Sequence, residues 1–469
     1  MSAQLAAGED RMTSSGRHRD AASILIKHLL YPAWELKNGS HRLRYLADLE
    51  KSQFWPRERL LEQQWARFRK IVAHAYMTCS YYREAYRRAG FVPEDLHTPE
   101  DINRVPTVTK EEIQEHKDRF VSEQYRPEGL IKDMTGGSTG SPMVFYYDND
   151  RLDTRAAATL RHNRWAGWDI GDRAAILWGA PRDTQSTGKL RDRLRDWILD
   201  RRLTLDAALL DDDAMARFAD ELAKYRPTVL LAYANTLGLF AQYVRDRGIR
   251  DVSPTTAVCS AEVLTDENRK LIEDTLNCRV YNRYGCREFA VIASECDRHD
   301  GMHINAENLL VEVVAGGSSC QEKDGEIVIT DLGNFAMPLI RYRIRDVGRI
   351  RSHSCTCGRG LPLLQLSGGR VTDFLTRTDG KKVSGIVVAT YVITNLPGIR
   401  QIQFVQNEAR KVVINLVRGE AWSSQTTEAL QDRVREFLGA EMEIKTEFRD
   451  MIPSENSGKY RFSISNLPA

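Results

Sequence analysis

The chain has 469 residues, enough for two or three domains with ample core. Hydrophobic residues make up 42% and charged residues 28%, the balance of an ordinary soluble globular protein. Lys plus Arg exceed Asp plus Glu by only 67 − 65 = 2, so charge argues against nucleic acid or a membrane surface as the main partner.

No apolar run approaches the ~20 residues of a membrane span. The patch Ala21–Leu30 is broken by Lys27 and His28 and lacks a small-residue cleavage site, so it makes a poor signal peptide. Eight cysteines, several of them clustered, fit a reducing compartment with a metal site better than a disulfide scaffold. The expected location is cytoplasmic.

Residues 1 to about 20 are polar, rich in Ser, Arg and Gly, and expected to be disordered. From Ala21 to Gly90 the pattern is helical. Leu60, Leu61, Trp65, Phe68, Ile71 and Val72 recur at three- and four-residue spacing and predict a stripe that faces a core. Tyr81, Tyr82 and Tyr86 read as packing. Pro99 opens another short helix, and Thr109 is placed as an N-cap ahead of Glu111 and Glu112.

The stretch Met134–Pro142 interleaves Gly136, Gly137 and Gly140 with the hydroxyls of Thr135, Ser138, Thr139 and Ser141. Such a loop lets backbone N–H groups converge on phosphate oxygens. The following Met143–Asp148 is aromatic and β-branched, which predicts a strand. A P-loop would need GxxxxGK and then a helix, and neither is present.

Beyond the loop, strands and helices alternate. Helices are expected at Asp150–Trp165, Asp211–Tyr225, Leu237–Asp246 and Asp266–Thr275. Strands are expected at Ala174–Trp178, Thr228–Tyr233, Ala257–Cys259 and Arg279–Asn282. Alternation of this kind argues for a mainly parallel sheet with helices on its faces. From Gly301 the period changes to two, with short β segments at His303–Glu307, Leu309–Val314, Glu326–Asp331 and Leu339–Ile344. The block after Arg370, with strands at Ile402–Gln406, Lys411–Arg418 and Glu443–Phe448 and a helix at Glu428–Gly439, has the size of a small α+β domain.

Five stretches follow one another: the glycine loop, Ser260-Ala261-Glu262, Tyr281–Glu288, Arg341–Asp346 and Gly369-Arg370. A sixth, Ser457–Arg461, lies near the C-terminus. In this order they resemble the adenylate-forming (acyl-AMP) enzymes, specifically the phenylacetate–CoA ligase-like branch, which includes proteins connected with capsular polysaccharide synthesis. The resemblance covers nearly all the chain from about Phe54 onward. It implies an α/β fold with a large AMP-binding domain over 51–370, a small mobile α+β C-terminal domain over 371–469, and an N-terminal extension over 1–50.

The resemblance also implies roles. A carboxylate must attack the α-phosphate of ATP, so positive charge and oriented donors must offset the repulsion between two anions. Thr135, Gly136, Gly137, Ser138, Thr139 and Gly140 would hold the β- and γ-phosphates. Glu288 would hold Mg²⁺ on a carboxylate oxygen, Asp346 would accept the ribose hydroxyls, and Arg370 would add a cationic contact. Tyr284, Gly285 and the backbone of Ser260, Ala261, Glu262, Tyr281, Asn282 and Arg283 would form the adenine slot. Lys459 would bridge the attacking carboxylate and the α-phosphate as a mobile point charge. The chain departs from the family pattern at Met143, where a lysine is usual, and at Arg287, where a threonine is usual; Arg287 can contact phosphate instead. The hinge is expected at Val371–Asp373, where the acids usual after Gly-Arg are not both present.

Cys296, His303, Cys355 and Cys357 form a second constellation, three thiolates and an imidazole that suit a closed tetrahedral Zn²⁺ site. Members of the branch are similar here too. His299, at Cys-x₂-His spacing, competes for the fourth position. Cys259, Cys278 and Cys320 read as structural thiols.

The expected reaction is ATP-dependent activation of a small carboxylic acid to an acyl-adenylate, followed by transfer to coenzyme A. The alternatives are transfer to an amine, a sugar or a carrier protein, and a catalytically silent AMP-binding zinc module. The acyl pocket is expected among Trp178–Ala180, Tyr233–Asn235 and Tyr284–Val291, and the assembly as monomer or homodimer.

Overall fold

The computed structural model describes residues 20–135, 143–178, 199–206, 212–368, 374–385, 388, 392, 396, 398–419, 422–452 and 463–467. The expectations for the polar N-terminus, the glycine loop beyond Thr135, Gly369-Arg370, Val371–Asp373 and Ser457–Arg461 therefore fall outside the described residues.

Five helices open the described chain: α1 (Ala21–Leu25), α2 (Tyr31–Asn38), α3 (Arg42–Ser52), α4 (Arg57–Thr78) and α5 (Ser80–Arg88). A π-helical turn over Ile26–Leu30 joins the first two. On α4, Leu60, Phe68, Ile71 and Val72 are buried as their spacing predicts. Leu61 is not: it is 44% exposed, because it sits one residue off the buried stripe, about 100° around the helix. Tyr81, Tyr82 and Tyr86 are packing residues, with Tyr81 stacked on Phe120 at 4.0 Å. Thr109 caps α6 (Lys110–Glu115), and its hydroxyl and N–H both donate to the Glu112 carboxylate. A short α7 (Lys117–Phe120) follows.

Strands β1 (Ile131–Met134) and β2 (Val144–Tyr147) pair antiparallel and close the base of the glycine loop. There the Thr135 N–H donates to the Met143 carbonyl, and the Met143 N–H donates to Thr135 Oγ1, each at 2.9 Å. The long helix α8 (Asn149–Trp165) begins at Asp148, whose side chain accepts from the Arg151 N–H.

The remaining β segments of the large body are β3 (Ala174–Trp178), β4 (Arg202–Asp206), β5 (Val229–Tyr233), β6 (Thr256–Ser260), β7 (Arg279–Cys286), β8 (Ala290–Glu295), β9 (Met302–Ile304), β10 (Leu309–Ala315), β11 (Ser318–Ser319), β12 (Gly325–Asp331), β13 (Tyr342–Arg351) and β14 (Leu363–Gly368). They form one twelve-stranded sheet in the order β11-β10-β12-β13-β14-β9-β8-β7-β6-β5-β3-β4. Strands β3 to β7 pair parallel, and from β7 to β8 onward the pairing is antiparallel. The strand–helix alternation thus builds the parallel block, and the segments of period two extend it. Helices α9 (Asp212–Tyr225), α10 (Ala234–Asp246) and α11 (Asp266–Leu276) make the crossovers. β6 is buried along its whole length, as a strand covered on both faces must be.

After β3 the chain passes to β4 on one side, then returns to β5 on the other. The strand order reverses between β3 and β5, and a crevice opens at the carboxyl ends of such strands. Those ends are Trp178 and Tyr233, whose rings stack at 4.1 Å.

The C-terminal part has a hairpin, β15 (Phe374–Thr376) with β16 (Lys382–Ser384). Its four-stranded sheet runs β19-β18-β17-β20, made of β17 (Ile399–Glu408), β18 (Lys411–Arg418), β19 (Glu443–Phe448) and β20 (Ser463–Ser465). Helix α12 (Ser424–Leu438) buries Leu430, Val434, Phe437 and Leu438 in the same cluster as Ile402, Phe404, Val412 and Ile414. No helix among the described residues is long and apolar enough to cross a membrane.

Candidate functional site

The carboxyl ends of β5, β6 and β7 lie side by side, and the polar residues singled out in the sequence sit there. Ser260 ends β6, and its hydroxyl donates to the Arg283 carbonyl at 3.1 Å, tying the turn to the neighbouring strand. Ala261 follows with φ 65°, a left-handed conformation unusual for a residue with a Cβ. This turn sends Glu262 inward, where Oε2 accepts the Asn235 N–H at 2.8 Å in the first turn of α10. Glu262 is buried, and burial pushes its carboxyl up to about 7. Its Oε1 has no partner among the described residues.

On β7, Tyr284 reaches across to β13: its hydroxyl donates to Asp346 Oδ2 at 2.7 Å. Two residues separated by more than sixty positions thereby make one polar edge. Glu288 is buried just past β7, with the Tyr342 hydroxyl donating to its Oε1 at 3.3 Å. Burial, with the neighbouring Glu288 charge, raises the Cys286 thiol well above its usual range. Such a thiol is a poor nucleophile at neutral pH. Arg287 lies 3.8 Å from Asp133 on β1, and its carbonyl accepts from the Arg155 guanidinium on α8. Glu288 and Arg287 are thus set beside the strand that leads into the glycine loop.

Arg341 behaves differently from its motif neighbours. Buried at 3% exposure, it ion-pairs with Glu312 at 3.0 Å and donates to the carbonyls of Ile102 and Val105. It fastens the N-terminal segment to the sheet. Sequence reasoning missed Asp133 and the Tyr342 side chain and took Glu262 only for its backbone; these side chains acquire meaning only when strands distant in sequence are paired.

The second constellation also converges. The ligand atoms of Cys296, His303, Cys355 and Cys357 all lie within 4.8 Å of one another. Cys296 Sγ is 3.7 Å from Cys355 Sγ, and Cys357 Sγ is 3.3 Å from His303 Nε2. A tetrahedral ion with Zn–S near 2.3 Å would place sulfurs about 3.8 Å apart, so the spacing fits. His303 is buried, which lowers its pKa to about 4, and the neutral imidazole is the form that ligates. Its Nδ1 faces the Leu361 carbonyl at 3.4 Å, leaving Nε2 toward the thiols. His299 is turned away: its Nδ1 lies 3.1 Å from Glu295 and its ring packs on Tyr281. Of the two histidines, His303 joins the cluster.

Known proteins resemble this chain throughout. The CapK C-terminal domain family matches residues 375–466. Protein CapK of Staphylococcus aureus is 25% identical over 418 residues, covering 87% of this chain and 90% of its own length. The phenylacetate–coenzyme A ligase of Thermus thermophilus is 28% identical over 331 residues, 68% of this chain and 72% of its own. The chain is thus similar to CapK and to the phenylacetate–CoA ligases. Among solved structures, 2-hydroxyisobutyryl-CoA ligase with 2-HIB-AMP and CoA in the thioesterification state superposes with a TM-score of 0.62 at 19% identity, covering 89% of this chain and 91% of that one. Its postadenylation state with R3-HIB-AMP gives 0.59. The adenylate-forming fold, a large sheet-centred body followed by a small C-terminal domain, is therefore shared.

Proposed function

We propose that the chain activates a carboxylic acid with ATP, releasing pyrophosphate and forming an acyl-adenylate, and then passes the acyl group to coenzyme A. The observation that carries this reading is the Tyr284–Asp346 hydrogen bond at the crevice edge, with Glu288 buried nearby. A carboxylate fixed by a phenol keeps its second oxygen for a diol, as ribose recognition requires.

In this reading Asp346 takes the ribose hydroxyls, while Tyr284, Gly285 and the backbone of Ser260–Glu262 and Tyr281–Arg283 line the adenine. Thr135 with 136–140 faces the β- and γ-phosphates, and Arg287 and Arg370 add positive charge. Lys459 approaches from the C-terminal part to offset the repulsion between the acid and the α-phosphate. Glu288 would hold Mg²⁺, which supplies charge neutralisation at the phosphates. Cys296, His303, Cys355 and Cys357 would hold a structural Zn²⁺ that joins the β8–β9 segment to the turn before β14. A cytoplasmic location accords with eight free thiols, and the assembly in this reading is a monomer or homodimer.

The CapK alignment spans 87% of the chain, whereas the phenylacetate–CoA ligase alignments span 61% to 68%. The acyl acceptor is therefore the first thing to measure. The test is pyrophosphate exchange across a panel of acids, followed by mass identification of the product with coenzyme A, amines, sugars or a carrier protein. Thioester formation supports the reading. An amide or ester would redirect the second half-reaction, and AMP binding without any exchange would leave only the silent module.

A further inference from the structure

Four arginines are buried among the described residues: Arg151, Arg161, Arg283 and Arg341. Three of them hold a buried carboxylate, namely Asp331 at 2.9 Å, Glu307 at 2.6 Å and Glu312 at 3.0 Å respectively. Arg283 has none among the described residues. Its Nη2 donates to Asn163 Oδ1 at 2.6 Å, and its buried Nε has no partner among the described residues. Removing an ion from water without a counter-ion is among the costlier acts in folding, so a buried guanidinium lacking one needs an anion from elsewhere.

Arg283 is not the only polar side chain here without a full set of partners. Next to Asn163 on α8 stands His162, fully buried, with neither Nδ1 nor Nε2 partnered among the described residues. Burial, and then the charges of Arg161 and Arg283, hold its pKa well below the ordinary value, so the ring is neutral and carries one N–H. Side chains alternate across a strand, so Arg283 and Tyr284 point to opposite faces of β7. Arg283 is on the α8 face, level with Ser260 on β6. Two residues earlier on the same face, Tyr281 and Val258 pack on Trp168 and Ala166 and give an apolar floor.

We propose that the buried Arg283 side chain, between β6–β7 and α8, receives the far end of the acid substrate, and that this end is a second carboxylate. The inference rests on the acid-activation reading given above and names its substrate class. One guanidinium beside a neutral imidazole offers a single positive charge, which matches a carboxylate monoanion better than a phosphate of nearly two charges. His162 and Asn163 flank it, and the activated carboxylate lies toward Ser260 at the carboxyl end of β6. The substrate is then a dicarboxylic acid activated at one end.

The experiment is pyrophosphate exchange with matched pairs, straight-chain and aryl dicarboxylic acids against monocarboxylic acids of equal length. The wild-type chain is expected to favour the diacids by about 100-fold in kcat/KM, as sites that leave a buried polar group unpaired reject the lesser ligand. Arg283→Leu is expected to reverse the preference, and Arg283→Lys to keep part of it. Should Arg283→Leu fail to fold, the wild-type ratio alone decides. Equal use of both classes by the wild type, or an equal loss of both in Arg283→Leu, would overturn the dicarboxylate assignment while acid activation stands. Absence of exchange with every acid would instead remove the activation reading itself.

Discussion

Tyr284 and Asp346 meet at 2.7 Å although sixty-one residues separate them, because β7 and β13 bring both side chains to the same edge of the crevice. Neither would be distinctive alone. Together they place an aromatic wall and a carboxylate at one point. Tyr284→Phe removes one hydrogen bond to a charged group, a loss of about 1.5–3 kcal/mol. The expected result is an increase of roughly ten- to a hundredfold in KM for ATP, with kcat less affected. Steady-state exchange kinetics at varied ATP will check it, and an unchanged KM would contradict the pairing's role.

Lys459→Ala is expected to lower adenylation by about 10²–10³-fold while ATP still binds, since a cation acting only as charge builds toward the transition state is lost from kcat. Exchange assays with nucleotide binding by calorimetry separate the two effects.

The four-ligand cluster predicts about one zinc per chain. Cys355→Ser should lose the metal and lower the melting temperature, and chelator treatment of the intact protein should lower it likewise. Metal analysis by mass spectrometry and a thermal scan measure both. A metal-free preparation that melts at the same temperature would refute the site.

Glu262 gives a pH dependence with a definite sign. Its carboxyl rises from 4.5 to about 7 on folding because burial disfavours the anion. The folded state therefore binds more protons than the unfolded chain between these values, and stability falls as pH rises from about 4.5 to 7. The contribution is on the order of 3 kcal/mol across that window. Glu262→Gln keeps an oxygen for the Asn235 N–H and cannot ionise. Its melting temperature should exceed that of the wild type above pH 7 and converge with it near pH 4.5. Parallel curves would show that the carboxyl does not titrate there.

Arg341→Ala should destabilise the protein by about 3–5 kcal/mol, because it strands the buried Glu312 and two carbonyls. Arg341→Ala with Glu312→Ala should recover part of that loss, and urea unfolding of the single and double variants will show whether it does.

Much of the architecture was legible in the residues themselves. The strand–helix alternation from Ala174 to Asn282 located the parallel block, and β3 runs over Ala174–Trp178 as its apolar run predicts. Local rules govern such elements: side-chain period, capping at Thr109, and continuous burial in β6. The cysteines and His303 could be proposed together from their chemistry, since few other roles suit that donor set.

Tertiary structure decided what periodicity cannot express. The choice of His303 over His299 depended on which imidazole the β9 strand turns toward the thiols and which one Glu295 engages. Leu61 belongs to an apolar stripe by spacing alone, yet it faces solvent because only one side of α4 meets the body. Arg341 and Arg283 are the same amino acid in neighbouring motifs, and the sequence by itself gives them equal claims on a ligand. Only the fold supplies Glu312 to one and leaves the other without a carboxylate among the described residues, because a counter-ion is chosen by distance in space and not along the chain.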